Sequence, residues 1–176
     1  MASRQIRPIR VEGNIAYIPL TLGYEAIIDA ADVPLVEGWC WRAMVSRRKD
    51  GSVYTVYARR SFRLNGKMET AYLHRQVSGE VSGMDVDHLD GNGLNNRRAN
   101  LRHATRSQNM HNQRISASNT SGYKGVVWSK AAQKWQAQIK INRKCKVIGY
   151  FVRVEDAADA YATASAALHK GFGRIA

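Results

Sequence analysis

Residues 86–109 read VDHLDGNGLNNRRANLRHATRSQN and contain no apolar run longer than one residue. It starts with the pair Asp87-His88, passes through a turn rich in glycine and asparagine, and ends in a helix predicted over residues 104–114. An Asp beside a His on a strand points the two side chains to different sides, so one can hold a metal while the other addresses a water. A polar turn contains the same residue types, because Asp and Asn bond nearby backbone and Gly takes positive φ. The pair alone therefore leaves both interpretations open.

Two asparagines within the stretch could complete a metal site. Asn109, on the predicted helix, offers a neutral oxygen in addition to the Asp87 carboxylate. A small number of hard oxygen ligands suits Mg²⁺, which keeps several waters and takes phosphate oxygens. Asn100 lies between them in sequence and could orient the imidazole of His88. Asn109 could also be a solvent-facing residue, although Asn is a poor helix former.

The positive charge of the chain is concentrated in one segment. Lys and Arg number 27, and Asp and Glu number 14. Residues 1–90 carry 12 basic and 11 acidic side chains, residues 91–150 carry 12 basic and none acidic, and residues 151–176 carry three of each. Ordinary surfaces mix both signs, so a segment without carboxylates indicates a binding site for a polyanion. Double-stranded DNA is the first candidate, because neutralising its phosphates releases counterions.

The sequence gives less support to a membrane or an oxidising compartment. A membrane-binding protein would need a basic amphipathic helix or an apolar span of roughly 20 residues, and the sequence contains neither. Residues 1–10 lack the apolar core of a signal peptide. Cys40 and Cys145 form no Cys-x-x-Cys pair, which argues against a zinc knuckle and favours free thiols. We expect a cytoplasmic protein that does not bind membranes.

The expected fold class is α+β, built from small modules with modest cores. The N-terminal region is β-rich, and Asn65-Gly66 is a hairpin signal between two of its strands. Trp39 and Trp41 are expected to pack this small sheet. Strands are predicted over residues 15–20, 25–29, 53–60 and 68–73.

A second module is predicted after a polar linker at residues 113–122. Residues 135–141 alternate between apolar and polar, with Trp135, Ala137, Ile139 and Ile141 on one face. Flanking strands are predicted at 126–128 and 146–151, and a helix at 155–168. The chain therefore ends in a predicted three-stranded antiparallel sheet packed on one helix.

The central stretch resembles the HNH nuclease motif of phage and intron-encoded homing endonucleases. The segments that carry the resemblance are LHR (73–75), VDHLDGN (86–92), NR (96–97), NLR (100–102) and QN (108–109). In that family the motif forms a ββα-metal fold around one divalent ion. The resemblance implies that Asp87 and Asn109 bind Mg²⁺ or Mn²⁺, that His88 is the general base, and that Asn100 positions His88.

The stretch departs from the fuller family pattern at one ligand. Asn109 stands where many members have a metal-binding His, which makes His111 a rival ligand. His111 ranks lower because two residues further along a helix it faces another side. His74 and His103 are expected to be structural or to face phosphate. The arginines expected to contact the DNA backbone are Arg75, Arg97, Arg98, Arg102 and Arg106.

The C-terminal module resembles the apetala-type or ethylene-response-factor (ERF) DNA-binding domain. The matching segments are SGYKGV (121–126), WQAQI (135–139), IGYF (148–151) and EDAADAY (155–161). In that family the sheet lies in the major groove. The polar face of the alternating strand, with Gln136, Gln138 and Lys140, would then be free to contact bases and phosphates. Val127 and Val147 replace the Arg and Trp of many plant members, so the plant target sequence does not transfer. The DNA-binding residues expected here are Lys124, Trp128, Lys134, Gln136, Gln138, Lys140, Arg143, Lys144 and Lys146.

These observations predict a site-specific, strand-nicking homing endonuclease that acts as a monomer, because one site with one metal and one base cuts one strand at a time. The alternative is a sequence-specific DNA-binding regulator that keeps the scaffold without cutting, and an RNA-binding role ranks third. The resemblance implies a phage- or mobile-element-encoded protein in a bacterial host. The predicted organisation is a β-rich region (1–70), an HNH core (71–115), a linker (116–121) and an ERF-like domain (122–176).

Overall fold

A computed structural model of the chain describes residues 6–112, 115, 118–141 and 144–169. The chain divides into two compact units, Met1–Thr105 and Arg106–Ala176. The division falls inside residues 71–115, and the predicted domain boundaries stay a prediction. None of the described helices combines the length and the apolar composition that crossing a membrane requires.

The first unit contains three small antiparallel sheets, in the strand orders β1-β2-β3, β4-β5-β6 and β7-β8. Its elements are β1 Arg10–Glu12, β2 Ile15–Pro19, β3 Glu25–Asp29, α1 Val33–Val36, β4 Arg42–Arg47, β5 Val53–Leu64, β6 Lys67–Tyr72, α2 Leu73–Ser78, β7 Asp85–His88 and β8 Leu101–Ala104. The hairpin predicted at Asn65-Gly66 is confirmed, with φ of 49° and 78°. Both angles are positive, as the tight turn between two twisted strands requires.

Alternating apolar side chains build the core of the first unit. On β2 and β3 the inward residues Ala16, Ile18, Ala26 and Ile28 are buried, because successive strand residues point to opposite faces. Trp41 joins this core and donates from its indole nitrogen to the Val36 carbonyl at 2.9 Å. This confirms the packing role predicted for Trp41.

Trp39 has a different environment from Trp41. It is 46% exposed, and the Arg60 guanidinium lies 3.8 Å from its ring centroid. Trp39 precedes β4, outside the strand pairs that face the core. Trp39 therefore packs on the sheet through Arg60 of β5 and stays partly exposed, whereas Trp41 lies in the buried core.

The loop between β7 and β8 is fastened to β3. The Ile27 amide donates to the Leu94 carbonyl at 2.8 Å, and the Asn96 amide donates to the Ile27 carbonyl at 2.8 Å. Gly93 lies so close to β5 that an added Cβ would come within 2.4 Å of the Val56 carbonyl oxygen. A side chain at this position would displace backbone, so the loop requires glycine there.

The segment at residues 101–104 differs from the sequence expectation. A helix is predicted from residue 104, whereas β8 runs through Ala104 and the helix α3 spans Arg106–His111. β8 pairs with β7 in the register Asp87↔Arg102, and Ala104 is fully buried. Long-range pairing with β7 has overridden the local preference, so the helix begins later than predicted.

The second unit is a three-stranded antiparallel sheet packed on one helix. Its elements are α3 Arg106–His111, β9 Val126–Ser129, β10 Lys134–Ile141, β11 Lys144–Phe151 and α4 Val154–His169. β10 is central, and Ala137 and Ile139 meet Ala157 and Tyr161 of α4 in one buried cluster. The alternation predicted for β10 and the α+β fold class are both confirmed. The likeness to ERF domains stays a prediction.

Candidate active site

The candidate site is built on the end of β7, where Asp87 and His88 are adjacent and each only 5% exposed. Neighbouring residues of a strand point to opposite faces, so the two side chains meet different partners. Across the ladder, Asp87 lies opposite Arg102 and His88 lies opposite Leu101. The Asp87 and His88 side chains therefore point to opposite sides of β7, which is the geometry that the sequence predicts.

Asn96 orients the imidazole of His88. Its Oδ1 lies 3.3 Å from His88 Nε2, and its Nδ2 donates to the Leu94 carbonyl at 3.0 Å. Because Nδ2 is engaged as the donor, Oδ1 faces the ring and accepts the Nε2 proton. The neutral imidazole then has its lone pair on Nδ1. Asn96 is fully buried, which fixes this arrangement.

Three aromatic side chains pack beside His88 or beside each other, and they are here called the aromatic collar: Tyr57, Tyr72 and His74. The His74 ring meets the His88 ring edge-on at 5.2 Å between centroids, and Tyr57 lies 5.8 Å from His88. Tyr72 stacks on His74 at 5.4 Å. Burial lowers the pKa of His88, while the bond to Asn96 and the carboxylates of Asp90 and Asp87 oppose that shift. The collar therefore favours a neutral His88.

Burial also keeps His74 neutral. Desolvation, with smaller contributions from His88 and Arg75, lowers the pKa of His74 to about 3. His74 is 8% exposed, and its Nδ1 has no hydrogen-bond partner among the described residues. This agrees with the structural role expected for His74.

Replacing His74 by Phe should reduce the loss of stability in acid. As the pH falls below 6.5 the unfolded histidine takes up a proton, whereas the folded one stays neutral down to about pH 3. Stability is therefore lost as pH falls through this window, by up to about 1.4 kcal/mol per pH unit. Between about pH 7 and about pH 5 we expect the free energy of unfolding to fall by about 2 kcal/mol less in His74→Phe than in the wild type. Urea denaturation at both pH values measures this, and equal losses in the two proteins would contradict it.

Arg102 forms an ion pair with Asp87. Arg102 Nη2 and Nε lie 2.8 and 2.9 Å from Asp87 Oδ2, and the two side chains are 19% and 6% exposed. The sequence predicts that Arg102 contacts DNA phosphate. In the structure Arg102 instead binds the Asp87 carboxylate and holds it in place.

Two more of the predicted phosphate-binding arginines pair with aspartates of the N-terminal segment. Arg97 Nε lies 2.8 Å from Asp29 Oδ1, and Arg98 Nη2 lies 2.7 Å from Asp32 Oδ1. The Arg98 amide also donates to Asp29 at 2.9 Å. These contacts join the loop after His88 to the end of β3. Sequence reasoning missed them because the aspartates lie 66 to 69 residues away.

Asn100, which the sequence places beside the imidazole, holds the loop instead. Its Oδ1 accepts from the Asp90 amide at 3.0 Å, and its Nδ2 donates to Asp90 Oδ1 and the Asn95 carbonyl at 3.0 and 2.7 Å. The hydrogen bond to His88 comes from Asn96. Asn96 is part of the quoted motif, but only the folded loop shows that its side chain turns inward.

The remaining predicted residues of the nuclease site lie in several places. Asn109 and Arg106 belong to α3 in the second unit, so the pairing of Asn109 with Asp87 stays a prediction. The His111 side chain lies outside the described residues. Arg75 Nη1 lies 3.8 Å from Glu80 Oε1, and Arg75 Nη2 lies 3.8 Å from Asp85 Oδ1. Within the described ranges, no three His, Cys, Asp or Glu side chains form a group that could hold a metal.

The residues predicted to bind DNA in the second unit divide between the two faces of its sheet. Lys146 and Lys144 lie opposite Ile139 and Ile141, whereas Gln136, Gln138 and Lys140 alternate with these apolar residues. Gln136 Nε2 donates to Gln138 Oε1 at 3.0 Å, and Trp128 is 43% exposed with its ring edge-on to Trp135. Lys124 is partly buried. The exposed lysines are Lys134, Lys140, Lys144 and Lys146. Arg143 lies outside the described residues.

Comparison with known proteins shows similarity to HNH endonucleases in the segment that holds the candidate site. Residues 73–111 match the protein-family model described as HNH endonuclease. This range contains Asp87, His88, Asn96 and Asn100. The segment that holds the candidate site is therefore similar to HNH endonucleases.

Two individual proteins are similar to parts of the chain. Protein 3.8 of Escherichia phage T7 is 42% identical over 62 residues, which is 35% of this chain and 51% of that protein. The chain thus spans about half the length of this curated relative. A solved structure entitled "DNA binding and cleavage by the HNH homing endonuclease I-HmuI" is 26% identical, covers 55% of this chain and 56% of its own, and has a TM-score of 0.29.

Proposed function

We propose that the protein is a DNA endonuclease that hydrolyses phosphodiester bonds with His88 as general base and one divalent metal ion. One observation carries the proposal. A buried histidine, held by Asn96 and adjacent to the carboxylate of Asp87, lies within the segment that matches HNH endonucleases.

The donor set fits a hard divalent cation. Asp87 supplies a carboxylate whose orientation is set by Arg102, and Asn109 would supply an amide oxygen from α3. A side chain that binds a metal-ligating carboxylate in this way fixes the direction in which the carboxylate points. Mg²⁺, or Mn²⁺ in its place, takes few protein oxygens and completes its shell with waters and phosphate. The ion would stabilise negative charge on the phosphate as the bond breaks.

His88 would activate the attacking water. The Nδ1 lone pair takes a proton from the water, whose oxygen forms a bond to phosphorus while the P–O3′ bond breaks. The products are a 5′-phosphate and, after protonation of the leaving oxygen, a 3′-hydroxyl. Asn96 accepts the Nε2 proton, so the lone pair of the neutral imidazole is on Nδ1 before the proton transfer.

We propose that the protein nicks one strand of duplex DNA and acts as a monomer. A single His88 serves one phosphate at a time, so each encounter yields one cut. The sheet of the second unit would also bind the duplex, through Gln136, Gln138 and the exposed Lys134 and Lys140 on the same face. The likeness to a phage T7 protein supports a phage-encoded protein that acts in the host cytoplasm.

Cleavage of supercoiled plasmid tests the proposed function. We expect purified full-length protein to convert plasmid containing its site to the relaxed form in the presence of Mg²⁺, because one nick releases the supercoils. EDTA should abolish the conversion. Gel electrophoresis separates the three plasmid forms. Binding to such plasmid without any metal-dependent relaxed or linear product would favour the non-cleaving DNA-binding regulator.

A further inference from the structure

One face of the β4-β5-β6 sheet continues from the aromatic collar into a row of arginines. Along β5, residues two apart share a face, so Tyr57, Arg59 and Arg63 point to the same side. Tyr57 contacts the rings of His74 and His88. This face, here called the arginine face, therefore borders the candidate active site.

The neighbouring strands complete the arginine face. Arg42 of β4 and Tyr72 of β6 both lie directly opposite Arg59. The Tyr72 hydroxyl reaches Met44 Sδ at 3.7 Å, across β5, which shows that β4 and β6 contribute to one continuous face. Tyr72 stacks on His74, which meets His88, so the register places Arg59 beside a side chain that leads to the His88 site.

The charges on the arginine face are uncompensated. Arg42, Arg59 and Arg63 are exposed, and no ion pair joins them to a carboxylate among the described residues. The arginines of the loop after His88, by contrast, pair with aspartates. Like charges directly opposite each other on a sheet are destabilising. A face that serves only solubility would not place two arginines opposite each other, whereas a bound anion would compensate both charges.

We propose that Arg42 and Arg59, with Arg63 beyond them, bind the phosphate backbone of duplex DNA beside the His88 site. The inference rests on the proposed function and deepens it, because it gives the N-terminal sheet a direct part in holding the substrate. Arginine binds phosphate through a planar set of donors, and such contacts position a duplex without reading its sequence. The duplex would thus be fixed on the side of the site formed by the aromatic collar.

The experiment compares full-length wild type with Arg42→Gln/Arg59→Gln on a fluorescently labelled duplex of arbitrary sequence. Anisotropy is measured in EDTA over a series of salt concentrations, so that no cleavage occurs. The slope of log K against log salt should become shallower by about 2, because each lost phosphate contact removes about 0.9. Affinity at about 0.1 M salt should fall by on the order of tenfold.

Two matched variants separate phosphate binding from a general charge effect. Lys49→Gln/Lys67→Gln removes two exposed charges from the same sheet, in the β4–β5 turn and at the start of β6, and should keep the wild-type slope. Arg42→Lys/Arg59→Lys keeps both charges and should also keep most of the slope. The glutamine variant of the pair should melt no lower than the wild type, because it loses a repulsion.

An unchanged slope in Arg42→Gln/Arg59→Gln would overturn the inference, as would an equal change in the lysine control or an absence of duplex binding by the wild type. A loss seen with duplex RNA but not with duplex DNA would overturn the choice of partner. Because binding is measured without metal, the two proposals fail separately. A chain that binds through this pair but never cuts keeps the inference and loses the nuclease function, and a chain that cuts with an unaltered slope does the reverse.

Discussion

Replacing His88 by Ala should lower the rate of plasmid nicking by about 10²- to 10⁴-fold, which is the usual contribution of a positioned general base. The imidazole is the group that would take the proton of the attacking water, and Asn96 holds it at 3.3 Å. Initial rates with supercoiled plasmid and Mg²⁺, at matched protein concentration, measure the loss. Duplex binding in EDTA should stay close to that of the wild type, because His88 is buried and carries no charge.

A graded comparison identifies the mechanism more closely. Asn96→Ala leaves the base in place and removes only its orienting partner, so we expect a smaller loss, on the order of 10- to 100-fold. The order of the two rates is the informative result. Nicking by His88→Ala at the wild-type rate would refute the assignment of the general base.

Replacing Asp87 by Ala should abolish metal-dependent nicking and also destabilise the fold by about 3 kcal/mol, because the mostly buried Arg102 loses the carboxylate with which it forms an ion pair. Arg102 is only 19% exposed, and its guanidinium lies 2.8 Å from the carboxylate. Urea denaturation measures the stability. Mg²⁺ should raise the melting temperature of the wild type but not of the variant, since only the wild type gains binding energy from the ion.

A double variant separates the two roles of Asp87. In Asp87→Ala/Arg102→Met the arginine charge is removed together with the carboxylate, and an apolar side chain of similar length replaces it. Much of the lost stability should therefore return. Nicking should not return, because the metal ligand is still missing. Nicking activity in the double variant would show that Asp87 serves only the fold.

The sequence was sufficient where the signal is local. The alternation along residues 135–141 predicts a half-buried strand, and the observed β10 buries Ala137 and Ile139 as expected. Asn65-Gly66 predicts a hairpin, because two residues with positive φ are needed in that turn. The Asp87-His88 pair was singled out from one motif through its resemblance to a family, and the chemical roles of the two residues stay proposals.

Local signals were insufficient where a partner lies far away in the chain. Residues 101–104 form β8 only because β7 is there to pair with them. The aromatic collar draws Tyr57 and Tyr72 from a different sheet, and no pattern near either tyrosine indicates that it will meet a histidine. Choosing Asn96 over Asn100 as the partner of His88 required the path of the loop.

The charged side chains show most clearly which properties can be predicted from the sequence and which depend on the folded structure. Counting along the chain shows that residues 91–150 contain 12 basic side chains and no acidic ones, and that the quoted motif reaches into this segment. Folding brings three of those charges to carboxylates from outside the segment, since Arg97, Arg98 and Arg102 pair with Asp29, Asp32 and Asp87. It also decided that Arg42 and Arg59 lie opposite each other without an acidic partner in the described part of the chain. The physical reason is that ion pairing depends on distance in space, which folding sets and spacing along the chain does not.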